Sequence, residues 1–281
     1  MAVGSLTRKD RSVLECVVNV SEGRDDDRLR RLDAAVGDHD LLDRHSCVHH
    51  NRSVFTLVGE DAARRLTRAA VAELDLRDHE GAHPRLGVVD VVPFVALGAS
   101  SPADARAARD RFASWAAEEL GLPCFLYGPE RTLPDVRRHA FTSLPPDTGP
   151  ASAHPTAGAV AVGVRPVLVA YNLWLADPDL DLARRIASAI RGRSVRALGL
   201  AVGDEVQVSM NLIDPLVVGP AVVWDAVEAL APIRYAELVG LVPAAVVQAA
   251  PAARRTQLGL SDDVTIERRL ADRGLTAAGV S

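Results

Sequence analysis

The stretch His79-Glu80-Gly81-Ala82-His83-Pro84-Arg85-Leu86-Gly87, running on into Val88-Val89-Asp90-Val91-Val92-Pro93-Phe94, admits two incompatible readings. Its first five residues spell H-E-x-x-H, the zinc-hydrolase pattern, which needs a helix to set both His on one face while the Glu activates a metal-bound water. Pro84 opposes that helix. A proline after the second His pushes His83 toward extended geometry, and in a helix its ring would collide with the carbonyl of Glu80. Gly81 adds a further helix penalty. The block therefore reads as an extended turn feeding a strand over residues 88–97, with one imidazole on a rigid loop, a guanidinium two positions on, and no metal.

Outward from that strand, residues 14–19 form a strand, 25–36 an amphipathic helix, 40–47 and 53–59 two strands about a polar turn, and 61–74 a second helix. A long helix over 102–120 opens with Ser100-Ser101-Pro102, a cap followed by a proline suited to the first turn. A strand over 124–127 closes the set. The β-α-β-β-α-β order is the split-βαβ, ferredoxin-like signature. It recurs: residues 167–175 are apolar, 178–190 helical with Asp177 as cap, 197–202 and 205–212 flank Gly203-Asp204 as a hairpin, and 220–230 are helical. The fold class is α/β (α+β), with two ferredoxin-like subdomains, residues 12–166 and 167–250, and the ligand cleft between them. Residues 251–281, with one helix over 264–273, read as a peripheral tail.

Composition removes several function classes. At 281 residues and 48% hydrophobic content the chain can build one large or two modest cores, and a formal charge of −5 favours neither nucleic acid nor a membrane surface. No apolar run is of membrane-spanning length and residues 1–11 carry no leader-like apolar region, so the expected location is the cytoplasm. Cys16, Cys47 and Cys124 are odd in number and far apart, which suits small core residues better than a disulfide or metal framework. Lysine occurs only as Lys9, which excludes a P-loop lysine, a Schiff-base lysine and a Ser-Lys dyad.

Written as H-x-G-x-H-P-R-x-G-x-x-D-V-x-P-F, the opening block resembles the signature of the glutamate formiminotransferase family, the folate-dependent enzymes of histidine breakdown. Other blocks match in the family's order: Glu15-Cys16-Val17-Val18-Asn19-Val20-Ser21-Glu22-Gly23, then His50-Asn51-Arg52-Ser53-Val54-Phe55-Thr56-Leu57-Val58-Gly59, then Tyr127-Gly128 with Arg131-Thr132-Leu133-Pro134, Pro146-Asp147-Thr148-Gly149-Pro150, and Leu168-Val169-Ala170-Tyr171-Asn172-Leu173. The resemblance covers residues 14–243. The family commonly has Pro at the place of Val18, Glu at that of Ala82 and Pro at that of Ala96. His45 stands where animal members carry an Asp assigned to orient the catalytic His. The cyclodeaminase domain fused to those members is expected to be absent.

The resemblance implies transfer of a formimino group from N-formimino-L-glutamate to N5 of tetrahydrofolate, the co-substrate, without a metal. Its small-molecule substrates imply no nucleic-acid or membrane partner, and a homodimer is an admissible assembly. His83 is the candidate acid-base residue. Formimino transfer passes through a tetrahedral intermediate in which one nitrogen loses a proton and the leaving nitrogen gains one, and an imidazole titrating near neutrality does both. His45 is a second catalytic candidate. Asn51, Arg52 and Arg85 are substrate-binding candidates, since guanidinium pairs with carboxylates; the ordinary reading of either Arg is a surface ion pair. Gly149, Pro150, Ala151, Ser152, Ala153, His154, Pro155, Thr156, Ala157 and Gly158 look by composition like a Pro/Gly connector, and by position match the family's folate-binding stretch. Glu22 and Asp90 either meet ligand or pin turns. Asp43, His45, His49 and His50 invite a metal reading, but strand alternation would put His49 and His50 on opposite faces. Rival functions are a zinc hydrolase on His79, Glu80 and His83, a folate-binding module without catalysis, and the same chemistry with glycine or a formyl group.

Overall fold

The computed structural model describes residues 13–81 and 84–276. Two compact units divide the chain, Met1–Arg165 and Pro166–Ser281. In the first, β1 (Val13–Val20), α1 (Asp26–Val36), β2 (Leu41–Cys47), β3 (Arg52–Val58), α2 (Glu60–Glu73) and β4 (Val89–Leu97) follow the order read from the sequence. The strands lie β2-β3-β1-β4, each pair antiparallel, which is the split-βαβ arrangement. The sheet then grows by three elements, α3 (Pro102–Leu120), β5 (Cys124–Tyr127) and β6 (Val160–Val164), with β6 seated between β4 and β5 and parallel to both. The sequence reading gave β6 no strand, although Val160–Val164 is fully apolar apart from Gly163; a run of five was absorbed into the connector before it.

Helix α1 starts where Asp25 accepts from the Arg28 backbone N–H, and α3 where Ser101 and Asp104 form a reciprocal capping box ahead of Pro102. Leu29, Leu32, Leu66, Phe112 and Ala116 from α1, α2 and α3 pack on Cys16, Val18, Phe55, Leu57 and Phe94 of the sheet. All three helices therefore cover one face. A smaller cluster on the other face, at the β5–β6 end, joins Val91, Phe125, Tyr127 and Ala161 to Val136 of α4 (Leu133–His139). That helix was missed in the sequence, although Thr132, Pro134 and Asp135 spell its capping box.

The second unit repeats the motif with β7 (Val169–Leu175), α5 (Leu180–Ile190), β8 (Val195–Val202), β9 (Glu205–Leu212), α6 (Pro220–Glu228) and β10 (Ile233–Val239) in the strand order β10-β7-β9-β8, all antiparallel. Strand β10 was not read from its sequence, which mixes Arg234 and Glu237 into a short run. Helix α5 starts two residues later than expected, because Asp179 rather than Asp177 accepts from the Leu182 N–H at 2.8 Å.

The stretch after residue 250 is not peripheral. Beyond α7 (Ala244–Ala249), Leu258, Leu260 and, in α8 (Ile266–Ala271), Leu270 are buried, the Tyr171 hydroxyl donates to the Leu258 carbonyl at 2.9 Å, and Val242 bridges Thr265. Its Ala, Arg and Asp content hid a few well-spaced apolar anchors.

Candidate functional site

The turn after β1 is organised by one buried carboxylate. Oε1 of Glu22 accepts from the backbone N–H groups of Gly23, Arg24 and Asp25 at 2.9, 2.8 and 3.0 Å. Asn51, left-handed at φ 46°, then clips that turn to the distinctive loop: its Oδ1 accepts from Gly23 N–H at 3.0 Å and its Nδ2 donates to the Glu80 carbonyl at 3.0 Å. His79 Nε2 lies 2.7 Å from the Asn51 carbonyl. A carbonyl only accepts, so Nε2 carries the proton and Nδ1 keeps its lone pair, which is buried without a hydrogen-bond partner. Burial pushes the His79 pKa down, which favours the neutral ring.

His79 itself is extended at φ −88° and ψ 120°, closing a 3-10 turn at Leu76–Asp78, and Glu80 and Gly81 are not helical. The helical face that a zinc site on this motif needs is not formed by its described residues. Ala82 and His83 lie outside the described residues. Among the described residues no group of three or more His, Cys, Asp or Glu could hold a metal ion. His49 and His50 sit in the turn between β2 and β3 rather than on a strand, so alternation is not what parts them; His50 Nδ1 lies 3.1 Å from Cys47 Sγ.

The backbone on both sides of His83 is pinned. Before it, Arg85 donates from Nη1 to the Gly81 carbonyl at 3.0 Å and from Nη2 to the His79 carbonyl at 2.9 Å. After it, Arg137 of α4 donates from Nη1 to the Pro84 carbonyl at 2.7 Å and pairs through Nη2 with Asp90 Oδ2 at 2.5 Å. The other Asp90 oxygen accepts from Leu86 N–H at 2.8 Å, and the Ser21 hydroxyl donates to the Gly87 carbonyl at 2.8 Å. Glu22 and Asp90, ambiguous in sequence, thus pin turns.

The connector 149–158 meets this loop at its far end. Ala157 and Ala159 exchange backbone hydrogen bonds with Leu86 and Val88, and Gly87 bridges Gly158. A Cβ on Gly87 would lie 2.3 Å from the Ala159 carbonyl oxygen, and one on Gly158, itself at φ 74°, 2.4 Å from that of Leu86. Only glycine fits either place. His154 caps its own turn by accepting at Nδ1 from Ala157 N–H at 3.0 Å, while residues 149–153 are exposed.

Arg52, Val54 and Thr56 of β3 share the face opposite the three helices with Asp43, His45 and Cys47 of β2 and Val17 and Asn19 of β1. Burial pushes the Arg52 pKa down, and the charge of Asp90 draws it back up. A guanidinium stays charged in either case, so this face carries a fixed cation beside His45. Cys16 and Cys124 are buried as expected, but Cys47 is only partly covered and borders His50.

Residues 13–165 match the formiminotransferase domain, N-terminal subdomain. The chain belongs to the formiminotransferase family. A Streptococcus pyogenes serotype M1 protein named glutamate formimidoyltransferase is 37% identical over 232 residues, 72% of this chain and 78% of that protein. One from Thermoplasma acidophilum with the same name is 37% identical over 234 residues, 72% of this chain and 77% of that one. The pig formimidoyltransferase-cyclodeaminase is 33% identical over 272 residues, 82% of this chain and 50% of that protein.

Within this family member, Asn51, Arg85, the flanks of His83 and the end of the 149–158 connector are brought together. Asn51 and Arg85 each spend two side-chain hydrogen bonds on backbone, so both hold the loop. His45 and Arg52 sit on the adjoining sheet face. Arg137 was missed; the capping box of Thr132 and Asp135 is the signal that would have placed it on a helix.

Proposed function

We propose that this chain is a folate-dependent glutamate formimidoyltransferase that moves the formimino group from N-formimino-L-glutamate to N5 of tetrahydrofolate, with its setting in the cytoplasm. The observation that carries the reading is the loop 79–90, fixed by Asn51 and Arg85 before His83 and by Arg137 and Asp90 after it, with the connector 149–158 ending against its downstream flank. General acid-base catalysis rewards such fixing, because proton transfer depends on donor and acceptor being held within hydrogen-bond reach.

In this reading N5 attacks the formimino carbon and forms a C–N bond. His83 takes the N5 proton as the tetrahedral centre forms and delivers one to the glutamate nitrogen as the old C–N bond breaks, so glutamate leaves as a neutral amine and the imidazole returns to its starting state. Arg52 supplies positive charge for a carboxylate of the donor or of the folate tail. His45, at the place of the family's orienting Asp, shares its face, and residues 149–158 approach the folate. No metal takes part.

The test is single-turnover formimino transfer by the unmodified protein, the His83→Ala variant and the His45→Ala variant, with tetrahydrofolate binding measured in parallel. Loss of transfer with binding retained in His83→Ala supports the reading. Transfer within a few-fold of the parent overturns it. A smaller loss in His45→Ala, with the pH profile displaced, would assign that residue the orienting role.

A further inference from the structure

Among the described residues the two sheets end in β2 and β5 and in β10 and β8. An edge strand presents backbone groups with no strand to pair them, and proteins commonly blunt it with charge or by keeping it short. Three of these edges are blunted so: β2 carries Asp43, Arg44 and His45, β10 carries Arg234 and Glu237, and β5 has only four residues. The remaining edge is not. Strand β8 runs for eight residues, Val195-Arg196-Ala197-Leu198-Gly199-Leu200-Ala201-Val202, with a single charge near its start. Leu198 on it is 58% exposed, and Leu200 is partly exposed.

Alternate residues of a strand turn their backbone groups toward opposite neighbours. The Ser194 carbonyl faces β9, accepting from Ile213 N–H at 2.8 Å, whereas the Val195 carbonyl accepts from Gly192 N–H and the Ala197 carbonyl from Arg191 Nε, both at 2.9 Å. The backbone groups of Val195, Ala197, Gly199 and Ala201 therefore point away from β9. Arg191 and Gly192 close the first half of this edge. Among the described residues nothing of that kind covers Gly199 and Ala201. The open half, Leu198-Gly199-Leu200-Ala201-Val202, has the same pattern read in either direction: an aliphatic residue at each end, a small residue at each outward-pointing place, and Leu200 at the centre. Such a segment is complementary to an antiparallel copy of itself.

We infer that β8 pairs with β8 of a second copy of this chain, antiparallel about a two-fold axis at Leu200, so that two four-stranded sheets become one continuous sheet. In that register Gly199 exchanges backbone hydrogen bonds with the partner's Ala201, and the exchange recurs on the other side of the axis. Leu200 meets the partner's Leu200, and exposed Leu198 lies opposite the partner's Val202. Charge agrees with the same register. Arg196 comes opposite the partner's Asp204; both residues are exposed, and neither forms an ion pair among the described residues of its own chain. Opposite charges facing each other across a ladder favour the pairing. No candidate site residue lies on β8, so this pairing is independent of the transferase reading.

The experiment is analytical sedimentation of the full chain over a concentration series, with circular dichroism to check the fold of each variant. The unmodified protein should dimerise. Leu200→Lys places two ammonium groups on the axis, and Ala201→Pro deletes one outward N–H while leaving the bonds to β9 in place. Each should weaken the dimer by about ten-fold or more. Arg196→Asp should weaken it as well, and the Arg196→Asp/Asp204→Arg double variant should restore it, a rescue that a role confined to one chain does not give. If Leu200→Lys does not fold, Ala201→Pro carries the test, because proline is tolerated on an edge strand where the N–H faces solvent. A protein that stays monomeric at concentrations on the order of 100 μM, where a micromolar dimer is nearly complete, would overturn the proposal. A dimer that Ala201→Pro leaves intact would overturn it too, since its interface would lie on another surface.

Discussion

Arg137 Nη1 donates to the Pro84 carbonyl at 2.7 Å, although the two residues lie on separate elements 53 positions apart. The same guanidinium pairs with Asp90, which is 1% exposed. One side chain from a short helix thus fixes the residue after His83 and neutralises the carboxylate that holds Leu86. The loop on either side of His83 is stiffened from outside itself.

Removing Arg137 should loosen the loop and strand a buried charge. Arg137→Met is expected to cost on the order of 2–3 kcal/mol, on the lower side for a broken buried pair because Arg137 is partly open to solvent. The Arg137→Met/Asp90→Asn double variant should recover part of that stability but not the Pro84 contact. Denaturant melts of the four proteins in the cycle check this; a double variant no more stable than the single would show that the pair is not coupled.

His83→Ala should lower kcat by roughly 10²–10⁴-fold, the usual scale for a general acid-base group, without changing the fold. His79→Ala should behave differently. It loses the bond to the Asn51 carbonyl, so the effect should appear in stability, about 1 kcal/mol for a neutral hydrogen bond, with a smaller effect on kcat. Equal and severe loss of kcat in both, restored by added zinc, would revive the metal reading of the motif.

The glycine pair offers a test of close approach. Gly87→Ala and Gly158→Ala each force a methyl against backbone and should unsettle the loop, whereas Gly192→Ala, with open space around it, should change little. Bulk at Gly149 would also strike backbone, the Leu122 carbonyl oxygen at 2.6 Å, so it cannot separate folate contact from damage to the fold. Tryptophan at exposed Ser152 or Ala153 can. Unchanged tetrahydrofolate affinity in both would return residues 149–158 to a plain connector.

Acid should expose one ion pair beside α4. The side-chain hydrogen bonds from Arg109 at 2.7 and 3.0 Å hold the Glu130 carboxyl down at about 2 instead of 4.5. A depressed folded-state pKa gives stability that is fully present above the unfolded value and lost as pH falls through the folded one. The melting-temperature gap between the parent and Glu130→Gln should therefore be constant above about pH 4.5 and close between about 4.5 and 2. A gap independent of pH across that window would show that the pair contributes nothing through charge.

Arg52 and Arg85 should separate by kinetics. Arg52→Leu removes a partly buried cation from the sheet face and should raise the KM for formiminoglutamate more than that for formiminoglycine, which has one carboxylate fewer. Arg85→Leu removes two bonds to loop carbonyls and should lower kcat for both donors alike. A parent protein that already prefers formiminoglycine would move the donor away from glutamate and leave the transfer chemistry standing.

Period and punctuation alone determined much of this protein. The β-branched run before Pro93, the apolar spacing in α1 and α2, and the Ser101-Pro102 start of α3 are local signals, and local signals survive in sequence. Pro84 argues against a helix in the H-E-x-x-H block, because a proline acts on its own neighbours whatever the fold, and His79, Glu80 and Gly81 are not helical. The tertiary structure decided what depends on partners distant in the chain. It turned Asn51 into a loop clip, brought Gly158 onto Gly87, set Arg137 against Pro84, and drew residues beyond 250 into a core. Each is a hydrogen bond or a close approach between segments tens of residues apart, and no window of local sequence contains both ends of such a contact.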